Sequence, residues 1–473
     1  MATLGPASWE PSTLKSVFDA GADVFRLNYS HGEPEQKTEL YERIRSLEDG
    51  NRTTCILADL PGPKLRLGEF PGVKLLNNGD VVRLLCGKME HDGEEIPVEY
   101  DGLSSDLKTG DSVLVADGLI RLSVKKTGGE RGTYVDCIVE DGGPVTSRKG
   151  INLPGTTIDL PAIGEKDKLA LDHALKSGAD WIAVSYVRSA EDLRPAKDAI
   201  KAAGLHTPVI AKIEHPAALE NLHSILDAAD AVMVARGDLG VEIPLEQVPL
   251  AQQRIIDAGL MRGMVVIVAT QMLESMTLNP RPTRAEVSDV STAIRHGGTA
   301  VMLSGETASG EHPVAAVETM VKIANATEIG LVSSGGTPGA LSKFRSTRAV
   351  AHSGVELARM SDAKHILVAT QHGNAPRLVA GYRPDVIVTA VTDRKRAARR
   401  MNLLPGVQSV IVEEHERGSK TMQNAIKLLA EDGSIKSGDR IVAISGSPQA
   451  MSGATSTVRL YKLQPDGSIS GTE

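Results

Sequence analysis

Four times along the chain a stretch of helical spacing closes on one or two small residues and gives way to a short apolar run: GADVFRLNYS from Gly21, GADWIAVSYV from Gly178, AADAVMVARGD from Ala228 and GGTAVMLSGE from Gly297. Glycine ending a helix, followed by a run rich in Val, Ile and Ala, is how a helix hands over to a strand buried on both faces. Comparable runs at 55–60, 209–214 and 265–271, with a short one at 2–4, bring the predicted strands to eight. Eight buried strands separated by helical stretches predict a (β/α)8 barrel, where chemistry gathers at the C-terminal strand ends. Those ends carry Arg26, Asn28, Asp59, Ser185, Lys212, Glu214, Arg236, Asp238, Thr270 and Glu306.

Helical periodicity disappears from about residue 64 to residue 150, where short β-like runs are punctuated by the turn clusters NNGD, KTGD, ADG and TGG. This predicts an all-β insertion after the third barrel strand, placed to close over the rim as a lid. GLVSSGGTPGA from Gly330 has linker composition. Beyond it, strands are predicted near 365–370, 386–391, 407–412, 440–444 and 457–462, with helices between. The predicted fold class is α/β: a (β/α)8 TIM barrel with an inserted all-β lid domain and a C-terminal open α/β domain. The division is barrel 1–63, lid 64–150, barrel 151–335 and C-terminal domain 336–473.

Composition narrows the function classes. A net charge of -8 gives no basic face for nucleic acid, and 3% aromatic content offers few base-stacking platforms. Three cysteines, Cys55, Cys86 and Cys137, have no ligand-like spacing and no disulfide framework, which fits a reducing cytoplasm. No run is long and apolar enough to predict a membrane span, and the N-terminus lacks a signal-peptide pattern.

The densest chemistry lies in 209–240. Alternate side chains share a strand face, so Lys212 and Glu214 point the same way, as do Arg236 and Asp238 if that strand runs so far. Ala217, Ala218, Leu219, Leu222, Ile225 and Leu226 predict a helix between them. Such charges ordinarily form solvated salt bridges, but four at the ends of two adjacent buried strands point to a site. Hard carboxylate oxygens suit Mg2+, with Mn2+ as an alternative, and such an ion takes one or two protein ligands plus water and substrate oxygens. Glu214 and Asp238 are therefore a candidate metal pair for an oxyacid or phosphate substrate. Arg26, in RLNYSHG, suits a planar oxyanion or an ion pair to a neighbouring strand end. Thr270 either faces the site or caps the next helix. Thr283 and Glu286 read as a capping box, and His31 as a surface histidine. Together these residues imply magnesium-assisted chemistry on a small anionic substrate, leaving phosphoryl transfer and enolate aldol chemistry both open.

TLGPAS, RLNYSHG, DLPGPKLRLG, KGINLPG, AKIEHPAAL, ARGDLGVEIP, ATQMLESM, PTRAEVSDV and MLSGETASGEHP follow one another through the barrel. In these motifs the chain resembles the pyruvate kinases, most strongly in the barrel and least in the C-terminal region. The resemblance implies phosphoryl transfer from phosphoenolpyruvate to ADP, giving pyruvate and ATP, by a cytoplasmic, allosteric homotetramer. By position, Glu214 and Asp238 would ligate Mg2+, Lys212 would stabilise the phosphoryl group in flight and Arg26 would bind it. Gly237 and Asp238, through their backbone, would hold the substrate carboxylate with Thr270, which lies near the site of enolate protonation. His31, Arg66 and Lys149 would serve the nucleotide. A catalytically silent metabolite sensor is the remaining alternative, and retention of Lys212, Glu214, Asp238, Arg26 and Thr270 argues against it.

Three departures from the family pattern stand out. Members commonly bind K+ through residues equivalent to Asn28, Ser30, Asp59 and the backbone of Leu60, with a glutamate where this chain has Lys64 and a threonine where it has Leu60. That is the pattern of K+-independent members, with Lys64 as an internal cation and K+ not required. The family also has residues before TLGPAS that complete the first strand. Either the natural start lies upstream or that strand is short, leaving buried backbone groups unpaired at about 1–3 kcal/mol each. In TQHGNAPRLVAGYRP, which resembles an effector loop, Thr370 remains but His372, Asn374 and Ala375 replace common hydroxyl residues. Thr455 and Ser456 stand where Thr-Asn is usual. These changes argue against fructose 1,6-bisphosphate and leave AMP or another sugar phosphate open.

Overall fold

The structure, a computed structural model, describes residues 1–473 except 51, 117, 130–131, 157, 159, 330, 332–338, 414–417, 447–454, 467 and 472–473. Much of the linker at 330–340 and of the glycine loop after Ser445 thus lies outside the described residues.

Eight parallel strands run in chain order around one sheet: Ala2–Thr3, Val24–Asn28, Cys55–Asp59, Trp181–Val184, Val209–Ile213, Ala231–Ala235, Val265–Ala269 and Ala300–Met302. A bridge from Ala2 to Leu303 joins last to first, and the Thr3 N–H donates to the Leu303 carbonyl at 3.1 Å. The barrel closes even though its first strand has two residues. The fifth, sixth and seventh strands are buried at every position, which explains their unbroken apolar sequences. The strand period of two then sorts the interior. Val24, Leu57 and Ile210 fill the barrel below Arg26, Asp59 and Lys212, which lie two residues further along the same faces. Met401, Leu403 and Leu404 of the C-terminal region join this cluster from the opposite end of the barrel.

The insertion forms a sheet of seven strands, in the order Leu65–Arg66, Gly150–Asn152, Ser112–Val115, Ile120–Gly128, Tyr134–Asp141, Val81–Cys86 and Ile96–Val98. All neighbours are antiparallel except the last pair, and a bridge from Leu67 to Val98 closes the sheet on itself. One turn of helix, Leu103–Asp106, interrupts the otherwise all-β insertion. The C-terminal sheet has six strands in the order Val407–Ile411, Ile387–Thr392, His365–Ala369, Arg440–Ser445, Thr457–Leu463 and Ile469–Gly471, the last two antiparallel. The final strand is too short for a period-two pattern to reveal it.

Two local expectations change. The single helix expected after Glu214 breaks at Asn221 into Pro216–Glu220 and Leu222–Ala228. The sixth strand stops at Ala235, and Arg236 begins the helix Arg236–Glu242, so Asp238 sits on a first helical turn and not on a strand face.

Glu48 clamps the C-terminal sheet layer to the barrel. Arg399 contacts its two oxygens at 2.7 Å each, and Lys395 adds an ion pair at 2.9 Å. Burial alone would raise the Glu48 carboxyl, but the hydrogen bonds from Arg399 and Lys395 outweigh it and bring the pKa from 4.5 to about 2. A lowered pKa stabilises the fold above the ordinary carboxylate value and is lost as pH falls through the lowered one. Glu48→Gln should therefore destabilise the chain by about 1–3 kcal/mol at pH 7. The difference in melting temperature from the parent should shrink as pH drops from 4.5 towards 2, and a gap constant with pH would contradict this role.

Candidate functional site

At the C-terminal mouth of the barrel Lys212 is buried among acids. Its ammonium lies 2.8 Å from Glu214 Oε1 and 3.2 Å from Asp59 Oδ1, and donates to Ser185 Oγ at 2.7 Å. Asp59 Oδ2 accepts from Arg26 Nε at 2.7 Å, and Arg26 Nη1 donates to Thr3 Oγ1 at 3.2 Å. Strand geometry produces this convergence, because each of these side chains stands within two residues of the C-terminal end of its own strand. Burial pulls the Lys212 ammonium down, but Asp59 and Glu214 outweigh it and hold the group charged above its ordinary range. Asp59 is pushed up by burial and carried below its usual value by Lys212 and Arg26. Glu214 moves the other way. Burial, opposed by Lys212 and reinforced by the like charge of Asp238, carries its carboxyl to about 7.

The two Glu214 oxygens have different surroundings. Oε2 accepts from the Tyr186 N–H at 2.7 Å, with Tyr186 in the left-handed region at φ 52°. Oε1 is buried and touches Lys212 without hydrogen-bond geometry. Asp238 is close enough for its charge to act on Glu214, Lys212 and Tyr186. A buried carboxylate oxygen lacking a hydrogen bond, beside a second carboxylate that repels it, suits a hard divalent cation. Among the described residues no group of three or more His, Cys, Asp or Glu could hold a metal, so these two carboxylates would leave the rest of the shell to water and substrate.

Thr270 does not cap the helix that follows it, Glu274–Thr277. Its hydroxyl accepts from the Gly237 N–H at 2.6 Å, and Thr270 and Gln271 both hold positive φ, 70° and 52°. Side chains rarely adopt that conformation without support. Arg236 supplies it: buried, it pairs with Asp289 at 2.8 and 2.7 Å and donates through Nη2 to the Thr270 carbonyl at 2.7 Å. Arg236 is thus a bracket beneath the site. Glu306 is another structural member of the rim, accepting from the Leu273 N–H at 3.0 Å and the Ser304 N–H at 2.7 Å. The capping box of Thr283 and Glu286 forms, and Glu286 also ties down Ser275.

Asn28 Oδ1 accepts from the Ser30 N–H at 3.0 Å, and the Leu60 carbonyl accepts from Ser185 Oγ at 2.8 Å. Lys64 is exposed, and among the described residues it makes no ion pair with Asp59, whose charge Arg26 and Lys212 balance. Its charge is felt at His31, whose pKa is lowered by partial desolvation against the neighbouring chain and by Arg66, Lys37, Lys64 and Arg26. Arg66 Nη1 donates to the Arg148 carbonyl at 3.1 Å, and the neighbouring Lys149 carbonyl accepts from the Leu67 N–H at 2.9 Å. The Lys149 side chain is exposed. Sequence reasoning did not single out Asn152 or Glu242. Asn152, on the strand returning from the insertion, donates to Glu242 Oε1 at 3.0 Å, and Glu242 ends the helix that carries Asp238. Both lie inside motifs already noted, KGINLPG and ARGDLGVEIP, which was the available signal.

The family model for the pyruvate kinase barrel domain matches residues 1–317, and that for the pyruvate kinase alpha/beta domain matches 348–461. The chain belongs to the pyruvate kinase family. It is similar to the pyruvate kinase of Mycobacterium tuberculosis, 39% identical over 98% of both chains, and to that of Methylorubrum extorquens, 40% identical over 97% of this chain and 96% of the relative. Among solved structures it resembles a pyruvate kinase from Cryptosporidium parvum with a TM-score of 0.88 and 33% identity, covering 98% of this chain and 95% of that one. As a pyruvate kinase family member the chain is a phosphotransferase, and the barrel with its inserted and C-terminal sheets is the pyruvate kinase fold.

The charge cluster makes a stability prediction for this pyruvate kinase fold. Lys212→Met leaves Asp59 and Glu214 without the ammonium between them and should destabilise the chain by about 3–5 kcal/mol at pH 8. Adding Asp59→Asn should recover part of the loss in a thermal melt, whereas strictly additive losses would show that the three groups are not coupled.

Proposed function

We propose that this chain catalyses Mg2+-dependent phosphoryl transfer from phosphoenolpyruvate to ADP, giving pyruvate and ATP, without requiring a monovalent cation. The observation that carries the reading is the charged, buried Lys212 held between Asp59 and Glu214, with Arg26 on the same carboxylate. Phosphoryl transfer is mostly positioning and electrostatic stabilisation, so an arrangement without a covalent nucleophile suffices.

Glu214 and Asp238 would hold the metal ion, Mg2+ or Mn2+. When bound, it would supply Lewis-acid stabilisation of negative charge on the enolate and carboxylate oxygens of the substrate. Arg26 binds the phosphoryl group in the ground state, and Lys212 stabilises it as the bond to the enolate oxygen breaks and a terminal oxygen of ADP attacks phosphorus. The amides of Gly237 and Asp238, at the start of a helix, hold the substrate carboxylate with Thr270. The enolate then takes a proton on carbon, through water ordered by Thr270. His31, Arg66 and Lys149 receive the nucleotide, the latter two brought in by closure of the β insertion over the rim. We take the units to be 1–63 and 151–335 for the barrel, 64–150 for the lid and 336–473 for the regulatory domain.

Asn28, Ser30, Asp59 and Leu60 would form the pocket in which the K+-dependent members place a monovalent cation, and Lys64 would supply the positive charge in its stead once substrate is bound. The reading includes a cytoplasmic homotetramer responsive to a phosphorylated effector. Three free, buried cysteines suit a reducing compartment, and among the described residues no helix is long and apolar enough to cross a membrane.

The test is pyruvate formation from phosphoenolpyruvate, ADP and Mg2+ in buffer free of K+ and NH4+. Full activity there, abolished when ADP is omitted, is the expected result. Activity only after K+ is added would remove the internal-cation role of Lys64. Cleavage of hydroxy-oxoacids without ADP would replace the transfer reading with an aldolase. Lys64→Glu should lower the rate about tenfold or more without K+ and recover with it.

Metal affinity carries a pH signature. With the Glu214 pKa near 7, a metal must displace its proton below that value. Mn2+ affinity in the substrate-free protein, read by water-proton relaxation, should fall about tenfold per pH unit below 7. Glu214→Gln should bind weakly at every pH, and a parent affinity level between pH 6 and 8 would contradict the assignment.

A further inference from the structure

One residue breaks the apolar stripe of the helix Pro34–Ser46. Its buried positions are Lys37, Leu40, Tyr41 and Ile44, the i, i+3, i+4, i+7 spacing of a core-facing stripe, so an apolar side chain is expected at the first of them. Lys37 stands there instead, 7% exposed. The other buried lysine among the described residues is Lys212, which has two carboxylates and a hydroxyl around its ammonium. Lys37 has no hydrogen-bond acceptor and no ion pair there, only the Tyr29 ring at 5.8 Å from its centroid. Burial and then the like charge of Arg26 lower its pKa, and no carboxylate opposes them. A methionine would fill the stripe without burying a charge, so stability does not account for the lysine. The stem is buried while Nζ keeps contact with solvent, unlike the sealed and unpartnered polar atoms elsewhere in the chain.

The ammonium lies over the loop that leaves the second barrel strand. A Cβ on Gly32 would come within 3.4 Å of Nζ, and Gly32, at φ 78°, directly follows His31. The four charges that bear most on His31 are Arg66, Lys37, Lys64 and Arg26, all of them positive. Arg26 is balanced by Asp59. Arg66 donates to the neutral Arg148 carbonyl, and among the described residues neither it nor Lys64 nor Lys37 has an ion pair. The three come from separate segments: Lys37 from a barrel helix, Lys64 from the chain leaving the barrel, and Arg66 from the first strand of the insertion. Like charges gathered round one histidine repel one another, and a polyanion among them turns that repulsion into attraction. An ammonium, a compact charge with three rotatable donors, suits phosphate oxygens.

We propose that Lys37 is a nucleotide-binding residue whose ammonium grips the diphosphate of ADP beside His31 and Arg66, an inference that rests on the transfer reading above. Arg66 and Lys149 are carried by the insertion, whereas Lys37 stands on a barrel helix and is in place before the insertion closes. It gives the incoming diphosphate a fixed cation on the barrel side of the subsite.

Mg2+-ADP is titrated calorimetrically into the full-length parent and Lys37→Met proteins without phosphoenolpyruvate, at several NaCl concentrations. Initial rates then give KM for both substrates, and a thermal melt is run on the same samples. Lys37→Met should raise Kd and KM for ADP about tenfold or more, change KM for phosphoenolpyruvate by less than about threefold, and flatten the salt dependence of ADP binding. Its melting temperature should equal or exceed that of the parent. Unchanged ADP affinity in the variant, beside a parent that binds and phosphorylates ADP, overturns the role of Lys37 and leaves the transfer reading intact. Weaker ADP binding with an unchanged salt dependence, or with a lowered melting temperature, makes Lys37 a structural residue and overturns it as well. A parent that neither binds ADP nor turns it over overturns the transfer reading and this inference with it. Should Lys37→Met fail to fold by circular dichroism, Lys37→Gln is judged by the same outcomes, and loss of the fold in both overturns the proposal.

Discussion

An ammonium buried beside two carboxylates at the mouth of the barrel is the constraint on which the site rests. Removed from water, Lys212 is tolerable only with acids around it, and Asp59 and Glu214 only with cations around them. Arg26 completes the balance on Asp59, and Ser185 Oγ accepts a hydrogen bond from the ammonium. The cluster is therefore rigid before any ligand arrives, and rigid charge placed in advance is what transition-state stabilisation requires. The raised Glu214 carboxyl is the unsatisfied member, the group that a divalent cation would complete.

The rest of the molecule holds that cluster in place. The unbroken apolar strands bury both faces of the barrel and fix strand register, and register fixes which side chains meet at the rim. Arg236 pins the left-handed pair Thr270 and Gln271 against the start of the Asp238 helix. The Asn152 to Glu242 bond ties the returning strand of the β insertion to the end of that same helix. The insertion is thereby tied to the segment bearing Gly237 and Asp238. At the far end Glu48 and the Met401–Leu404 stretch bind the C-terminal α/β layer to the barrel floor.

Much of this was legible in the sequence because parallel strands buried on both faces write themselves as continuous Val, Ile and Ala, and glycine marks the helix ends. The meeting of Lys212 with Glu214 followed from the period of two. What escaped did so for physical reasons. Asp238 shared a strand face with Arg236 only if the strand ran that far, but the chain turns into a helix at Arg236, and nothing in ARGDLG marks the switch from period two to helix. Tyr186 contributes a backbone N–H, a group every non-proline residue has. The roles of Arg236 and Glu306 depended on which backbone groups they would meet, information that resides in the tertiary fold. The exposed position of Lys64 could not be read from a motif that specifies residue type alone.

The central claim is that the Lys212 ammonium acts on the phosphoryl group during transfer more than in binding. The most direct measurement is rapid-quench single-turnover transfer from phosphoenolpyruvate to ADP by the parent and Lys212→Met proteins, with phosphoenolpyruvate affinity determined on the same samples. The account predicts that transfer slows by about a thousandfold or more while affinity for phosphoenolpyruvate changes by less than about tenfold. Equal losses in affinity and rate constant, or a Lys212→Met protein that transfers at nearly the parental rate, would contradict it.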